Sequence, residues 1–243
     1  TEITIPKSLT TAYSSPYGKG GGPFGDCENL TTVIFEDGIT KVPAYLFRYC
    51  TGKIEPVLPD TITEIGREAF MNSGIQSIVI PDNVTEIGEN AFDGSNLQTV
   101  SIPDSVTKIG KYAFCRCKGL TEVKLPAGLK ELGGMAFGEC SGLTEITIPK
   151  SLTTAYSSPY GKGGGPFGDC ENLTTVIFEN GIRKVPAYLF RYCTGKIQTV
   201  IPDGVTEIGC QAFMYSGLQS ISVPDTVTEI DEKAFQDSML QTV

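Results

Sequence analysis

The chain has 243 residues, of which 40% are hydrophobic, and 28 acidic residues outnumber 19 basic ones to give a net charge of −9. A chain of this length and hydrophobicity can bury a sizeable core, and its negative charge disfavours nucleic acid, which proteins bind through Lys and Arg. The absence of histidine excludes imidazole bases, Ser-His-Asp and Cys-His nucleophile systems, and zinc sites that need an imidazole.

A strand pattern that ends in proline opens the chain and recurs throughout it. In L-T-E-V-K-L-P, residues 120–126, Val123 and Leu125 alternate with Glu122 and Lys124, which indicates a half-buried strand. Proline then ends the strand in eight units, because it cannot donate to a continuing ladder. Most units are 21 to 24 residues long. Such a period predicts a solenoid, in which stacked units share one core.

The first unit carries an insertion, Y-S-S-P-Y-G-K-G-G-G-P at residues 13–23, which is repeated at residues 156–166. Insertions in solenoids form loops on one face, and loops on a rigid scaffold often carry binding residues. We therefore predict a ligand-contact loop, with a tolerated insertion that binds nothing as the alternative. A phosphate loop is excluded because G-x-x-x-x-G-K-[ST] is absent. The predicted contact residues of the two loops are Tyr13, Tyr17, Lys19, Tyr156, Tyr160 and Lys162.

After each proline the unit continues with a V-T-E-I-G segment and an Ala-Phe pair, as at residues 84–88 and 91–92. This tract is too short for an independent helix, so we predict a short strand followed by a single helical turn. Ten of the twelve phenylalanines share one position in the repeat, so we expect their rings to lie over one another. They are Phe24, Phe47, Phe70, Phe92, Phe114, Phe137, Phe167, Phe190, Phe213 and Phe235.

Six of the eight cysteines lie three residues after a phenylalanine of this column, where the other four units have serine. A position that accepts Cys or Ser favours a small side chain, and free cysteine is among the most buried residue types. We therefore predict buried, reduced thiols, with disulfide bonds between neighbouring units as the alternative. Cys115 and Cys210 fall outside the column, and Cys115-Arg116-Cys117 lacks the C-x-x-C redox spacing.

Acidic residues also recur at fixed positions, with Asp after the proline and Glu before the isoleucine of V-T-E-I-G. Carboxylates at one-repeat spacing supply the oxygen ligands that calcium takes. A solvated rim with turn-forming Asp explains the same columns, and we predict no metal and no cofactor.

The outward strand positions mix Thr, Ser and aliphatic residues, with few charges and no aromatic cluster. This composition suits contact with a protein or glycan, and we include Glu122 and Lys124 among the predicted ligand contacts. The alternative is that Thr and Val stand there because they fit a pleated surface. The predicted outward positions are Glu2, Thr4, Thr32, Ile34, Ser77, Val79, Thr99, Ser101, Glu122, Lys124, Glu145, Thr147, Thr175, Ile177, Ser220 and Ser222.

Residues 144–243 match residues 1–100 without a gap, at a constant offset of 143. Within residues 1–54 only Asp37/Asn180 and Thr40/Arg183 differ between the copies. We therefore predict one solenoid over residues 1–243 with about ten repeats: a first block at 1–143 and a partial second copy at 144–243. Both ends fall inside a repeat, so we expect a solenoid truncated at both ends that makes end-to-end contacts between copies.

The pattern L-x-x-V-x-L-P-x-x-L-x-x-I-G-x-x-A-F-x-x-C resembles the BspA-like leucine-rich repeat of bacterial surface proteins, and the resemblance covers essentially the whole chain. The ninth position lacks the general motif's asparagine and has Ser105 or Gly128, so no asparagine ladder is expected. The resemblance implies an α/β repeat fold. It would be a right-handed solenoid with a parallel β-sheet on its concave face and short strands or single helical turns elsewhere.

The resemblance also implies a cell-surface or secreted protein that adheres to protein ligands, such as the host matrix proteins fibronectin and fibrinogen. No apolar run approaches the roughly 18 residues of a membrane span, and the first residues lack the features of an export signal, which would lie outside this chain. We expect no enzyme, because no nucleophile-base pair is evident. A structural spacer without a ligand is the alternative to a binding module. Clustered exposed aromatic or apolar residues favour binding, and an evenly polar surface favours the spacer.

Overall fold

The computed structural model describes residues 1–13, 21–158 and 163–241, which form a solenoid of short β-strands that pair in parallel. Each strand pairs with its equivalent in an adjacent coil. In chain order the strands are β1 (Glu2–Ile5), β2 (Thr32–Phe35), β3 (Lys41–Val42), β4 (Glu55–Val57), β5 (Glu64–Ile65), β6 (Ser77–Val79), β7 (Glu86–Ile87), β8 (Thr99–Ser101), β9 (Lys108–Ile109), β10 (Glu131–Leu132), β11 (Glu145–Ile148), β12 (Thr154–Ala155), β13 (Thr175–Phe178), β14 (Lys184–Val185), β15 (Gln198–Val200), β16 (Glu207–Ile208), β17 (Ser220–Ser222) and β18 (Glu229–Ile230).

The longer strands form one side of the solenoid in three pieces, with the orders β1-β2-β4, β6-β8 and β11-β13-β15-β17. Their side chains alternate as the sequence predicts: Val33 is buried whereas Ile34 is 39% exposed. We call the outward side of these strands the strand face. The two-residue strands form a second sheet, with the orders β3-β5-β7-β9-β10-β12 and β14-β16-β18.

The strand predicted at residues 120–126 is not formed, since none of the described residues 121–126 is in a strand. Burial still alternates there: Val123 and Leu125 are buried, and Glu122 and Lys124 are exposed. The prediction was wrong because the apolar alternation sets which side chains face the core, whereas a ladder also needs backbone pairing with a neighbouring strand. Here β8 pairs with β6, and β11 pairs with β13.

The phenylalanine column is a continuous ladder of stacked rings, which confirms the predicted register. The centroids of Phe92 and Phe114 are 5.1 Å apart with planes inclined by 6°, and Phe114 stacks on Phe137 at the same distance. The remaining successive pairs stack at 5.2 to 5.8 Å, from Phe24 at one end to Phe235 at the other. Each coil therefore contributes to a core that no coil has alone.

The predicted helical turns, and the α/β class that included them, are wrong: no residue of the described ranges is helical. In the Ala-Phe tract, the Phe92 amide donates to the Ala113 carbonyl of the next coil at 2.7 Å, whereas the Ala91 amide closes a local turn onto Gly88 at 3.3 Å. Asn90 has a φ of 55°, a left-handed value that a right-handed helix does not accept. Along this tract, every second backbone amide therefore donates to a carbonyl of the next coil. Within the same ranges no helix is long and apolar enough to cross a membrane.

A mixed ladder of polar side chains lies at the turn after the strands, where the general leucine-rich motif has asparagine. Each side chain donates to a backbone carbonyl of the preceding coil, which satisfies an acceptor that the turn leaves without a ladder partner. The bonds are Thr61 to Ile39 (2.6 Å), Asn83 to Asp60 (2.6 Å), Ser105 to Val84 (2.7 Å) and Thr226 to Val205 (2.8 Å).

Candidate binding face and loops

Exposed aliphatic side chains gather in one column of the strand face. Ile34 is paired in register with Val57 of the neighbouring strand, and Val79 holds the equivalent outward position in β6. Their exposures are 39% for Ile34, 70% for Val57 and 72% for Val79. We call these three residues the first strip.

The second copy of the sequence repeats this arrangement. Ile177 and Val200, which lie 143 residues after Ile34 and Val57, are 45% and 66% exposed, and we call them the second strip. Ser222 stands where the first copy has Val79, so the second strip is shorter.

A groove lies over each strip. The first, of about 620 Å³, is lined by Val57 and Val79 together with Pro56 and Pro81. The second, of about 550 Å³, is lined by Ile177 and Val200. A pleated surface accommodates Thr as well as it does Val or Ile, so sheet propensity alone does not require an apolar column. Contiguous exposed apolar residues mark interaction surfaces.

The charges beside the strips are mostly acidic. Exposed glutamates occupy the other outward column of the strand face at Glu2, Glu55, Glu122 and Glu145. Glu55 and Asp60 line the first groove. In the second copy the position of Glu55 is taken by the uncharged Gln198.

Glu122 and Lys124 lie on the same side of the solenoid as the two strips but line neither groove. The column that contains the strips continues between them. Val79 is paired in register with Ser101, and Ile177 is paired in register with Thr147. Lys124 occupies the intervening position in this column. The predicted pair therefore separates the strips. Sequence reasoning missed Val57 and Val200, which are not among the outward positions it predicts.

The tyrosine loops are described only in part, because Tyr17, Lys19, Tyr160 and Lys162 lie outside the described residues. Tyr13 is 83% exposed. Tyr156 is 43% exposed, and its hydroxyl donates to Glu131 Oε2 at 3.4 Å. Because Glu131 belongs to β10, Tyr156 lies beside the second sheet. The structure does not bring it together with the charged pair of the strand face.

The second loop has a fixed neck, in which a backbone bond joins Ser158 to Gly164 at 2.9 Å. Arg191 Nη1 donates to Ser157 Oγ at 2.7 Å and to the Gly163 carbonyl at 2.8 Å. Sequence reasoning missed Arg191. The available signal was F-R-Y-C, which occurs at residues 47–50 and 190–193, in the coil that follows each insertion.

The glycines at the end of the insertion have a packing role. A Cβ atom on Gly165 would lie 1.8 Å from the carbonyl oxygen of Tyr188, so the close approach of the next coil requires glycine there. Gly163, Gly164 and Gly165 are all buried. The glycine run therefore does not itself indicate a ligand site.

All eight cysteines are free thiols, and those of the repeat column are buried except Cys27, which is partly exposed. Cys117 Sγ donates to the Phe92 carbonyl at 3.2 Å and lies 3.4 Å from Ser95 Oγ. Burial raises the pKa of Cys50 to about 11 and that of Cys193 to about 12. These thiols are therefore protonated at neutral pH, and a protonated thiol is a weak nucleophile.

The acidic column of the second sheet is partly neutralised by lysine. Lys108 Nζ lies 2.7 Å from Glu86, and Lys184 pairs with Glu207. Across residues 1–13, 21–158 and 163–241, no group of three or more His, Cys, Asp or Glu side chains has an arrangement that could hold a metal ion.

Three solved structures illustrate what the chain is similar to. A leucine rich cell surface protein from Faecalibacterium prausnitzii is 24% identical with a TM-score of 0.47, over 90% of this chain and 60% of that one. The leucine rich repeat protein of T. pallidum is 24% identical with a TM-score of 0.48, over 72% of each chain. The pneumococcal vaccine antigen PcpA is 17% identical with a TM-score of 0.37, over 100% of this chain and 79% of that one. This chain spans about 60% of the length of the Faecalibacterium protein.

No curated protein sequence matches the chain. The family model of the BspA type leucine rich repeat region matches it in six copies, over residues 1–95, 53–162 and 162–241. These matches extend over nearly the whole sequence and agree with the stacked coils of the fold. The chain belongs to the BspA-type leucine-rich repeat family.

Proposed function

We propose that this protein is a non-enzymatic binding module, displayed at a cell surface or secreted, that holds a protein ligand on its strand face. The observation that carries the proposal is the exposure of aliphatic side chains in the two strips, with Val57 and Val79 each at least 70% exposed. Solvent exposure of neighbouring apolar side chains is unfavourable unless a partner covers them. A spacer has no use for such strips.

We also propose that residues 1–243 form a single solenoid of about ten repeats.

The exposed Tyr13 and Tyr156 are proposed as additional contacts. The neck that Arg191 holds supports this role, because a loop whose base is already ordered loses less conformational freedom on binding.

The test measures binding of the purified chain to immobilised fibronectin and fibrinogen. We expect a Val57→Ser/Val79→Ser variant to bind at least about tenfold more weakly, because interface core residues carry most of the binding energy. Thr147→Ser, an exposed change on the same face that lies outside both grooves, is the matched control and should bind as the wild type does. Thermal unfolding confirms that each variant is folded.

A Tyr13→Ala/Tyr156→Ala variant separates the loops from the strand face, and a smaller loss of binding is expected. If the wild type binds but the strip variant binds equally well, the strand face is not the site. If the wild type binds neither matrix protein, adhesion to these ligands is rejected and the spacer function is favoured.

A further inference from the structure

We infer that the ligand of the strand face is a protein that presents one basic, aliphatic docking segment twice, so that the two strips bind it bivalently. This inference rests on the proposed function and adds the chemistry and the valency of the partner.

The strips are two sites rather than one continuous site. Between Val79 and Ile177, the column holds the polar residues Ser101, Lys124 and Thr147. An apolar segment that fills one groove therefore does not extend into the other.

The two copies keep one valine of the strip, in β4 and β15, where the residues around it differ. Residues 55–58 of the first copy are E-P-V-L, and residues 198–201 of the second are Q-T-V-I. The one residue that these segments share is the exposed valine, Val57 or Val200. The exposed valine is therefore kept at this coil, although the exposed Val79 of the next coil is replaced by Ser222. Both grooves thus offer exposed aliphatic side chains, Val57 with Val79 in the first and Ile177 with Val200 in the second.

The distance between the strips sets the span of the partner. Six coil steps lead from β4 to the equivalent strand β15, through β6, β8, residues 121–126, β11 and β13. At about 4.8 Å per step, Val57 and Val200 are about 29 Å apart. A partner with two docking segments at this span binds the second strip intramolecularly, which raises its apparent affinity.

The charges favour a basic partner. Glu55 and Asp60 line the first groove and the chain carries a net charge of −9, whereas the second groove is lined by uncharged residues. Opposite charges steer association and reject acidic competitors. The first site is expected to be the stronger one, because the second copy replaces Glu55 by Gln198 and Val79 by Ser222.

The experiment uses the full chain and three peptide probes whose binding is followed by fluorescence anisotropy. The first peptide alternates Lys and Val, the second has Glu in place of Lys, and the third is a tandem of two basic segments. A Gly-Ser linker of about 28 residues gives the tandem peptide a root-mean-square span of about 29 Å. The protein variants are Val57→Ser, Val200→Ser and the control Thr147→Ser.

We expect the basic peptide to bind more tightly than the acidic one, and the tandem peptide to bind at least about tenfold more tightly than the single basic peptide. Val57→Ser should weaken the single peptide more than Val200→Ser does. Either substitution should remove most of the gain of the tandem peptide, and Thr147→Ser should leave it in place.

Two results overturn the inference while leaving the proposed function intact. One is strip-dependent binding that is no tighter for the basic peptide than for the acidic one, and the other is a tandem gain that persists in both strip variants. Failure of every peptide to bind also rejects a basic, aliphatic partner. In that case matrix-protein binding that is lost in Val57→Ser/Val79→Ser still supports the strand face, whereas its absence rejects both proposals.

Discussion

Arg116 donates two hydrogen bonds to the carboxylate of Asp93, at 3.0 Å from Nε and 2.6 Å from Nη2, although the Asp93 side chain is only 5% exposed. Burial raises the pKa of the Asp93 carboxyl, and the bonds from Arg116 oppose this rise. The pair joins two adjacent coils, so it fastens the solenoid at a point outside the sheets.

Arg116→Ala is expected to lower the free energy of unfolding by about 2 kcal/mol at pH 7, because it leaves a buried carboxylate without its ion pair. Removing Arg116 raises the pKa of Asp93 further. The folded variant then binds a proton more tightly than the unfolded chain does, so its stability falls as pH rises through the folded pKa. The stability deficit of Arg116→Ala relative to the wild type should therefore be smaller at about pH 4 than at pH 7.

Urea unfolding at the two pH values measures this effect. The variant Arg116→Ala/Asp93→Asn is the control, because it lacks the titrating carboxyl and should show a deficit that changes less with pH. A deficit of Arg116→Ala that is equal at both pH values would show that the Asp93 charge is not its cause.

Phe114→Ala should cost about 3 to 5 kcal/mol of unfolding free energy, since it removes a fully buried ring. Phe114 stacks on Phe92 and on Phe137, so both interfaces of its coil lose contact. Phe235 is partly exposed and stacks on Phe213, so Phe235→Ala should cost less. Denaturant unfolding ranks the two variants, and equal losses would contradict a ladder in which each coil is stabilised by its neighbours.

The native protein should react slowly with a thiol reagent at pH 8. Burial raises the pKa of Cys117 to about 12, so the thiolate that reacts is scarce there. Cys27 and Cys210, which are partly exposed, should be the first to react. After unfolding without reductant, all eight thiols should be accessible. A lower count would show that disulfide bonds join some coils.

Calcium should leave the melting temperature unchanged relative to a chelator. A ligand that binds the folded state raises its stability in proportion to RT ln(1 + [L]/Kd), and Lys108 and Lys184 already neutralise two of the glutamates that would attract the ion. A rise in melting temperature with calcium that magnesium does not reproduce would establish a specific calcium site.

The sequence predicts the columns of this fold because each depends on residue type alone. Phenylalanine at a fixed place in every unit, and apolar residues alternating with polar ones, identify the core without any distance information. The helical turns were predicted wrongly for a non-local reason. Residues such as Ala91 and Phe92 fit either a helical turn or a β-turn, and the choice depends on the Phe92 amide, which bonds to the next coil.

The candidate site was predictable only in part. Ile34, Val79 and Ile177 are outward strand positions in the sequence pattern, but a pattern within one unit does not show that they align with Val57 and Val200 across coils. Arg191 was not predicted because its partners, Ser157 and Gly163, lie 34 and 28 residues away in another coil. Contacts between unlike positions of the repeat leave no signal at the period of one unit, and F-R-Y-C recurs only once, in the second copy.

The join between the first block and the second copy has one further consequence. The ring centroids of Phe137 and Phe167 lie 5.8 Å apart across this join, and the rings remain stacked. The last coil of the first block therefore packs on the first coil of the second copy. A gene can therefore lengthen or shorten such a protein by whole blocks, and only one new junction has to fit each time. The length of the solenoid then becomes a quantity that recombination adjusts while the packing of the interior stays the same.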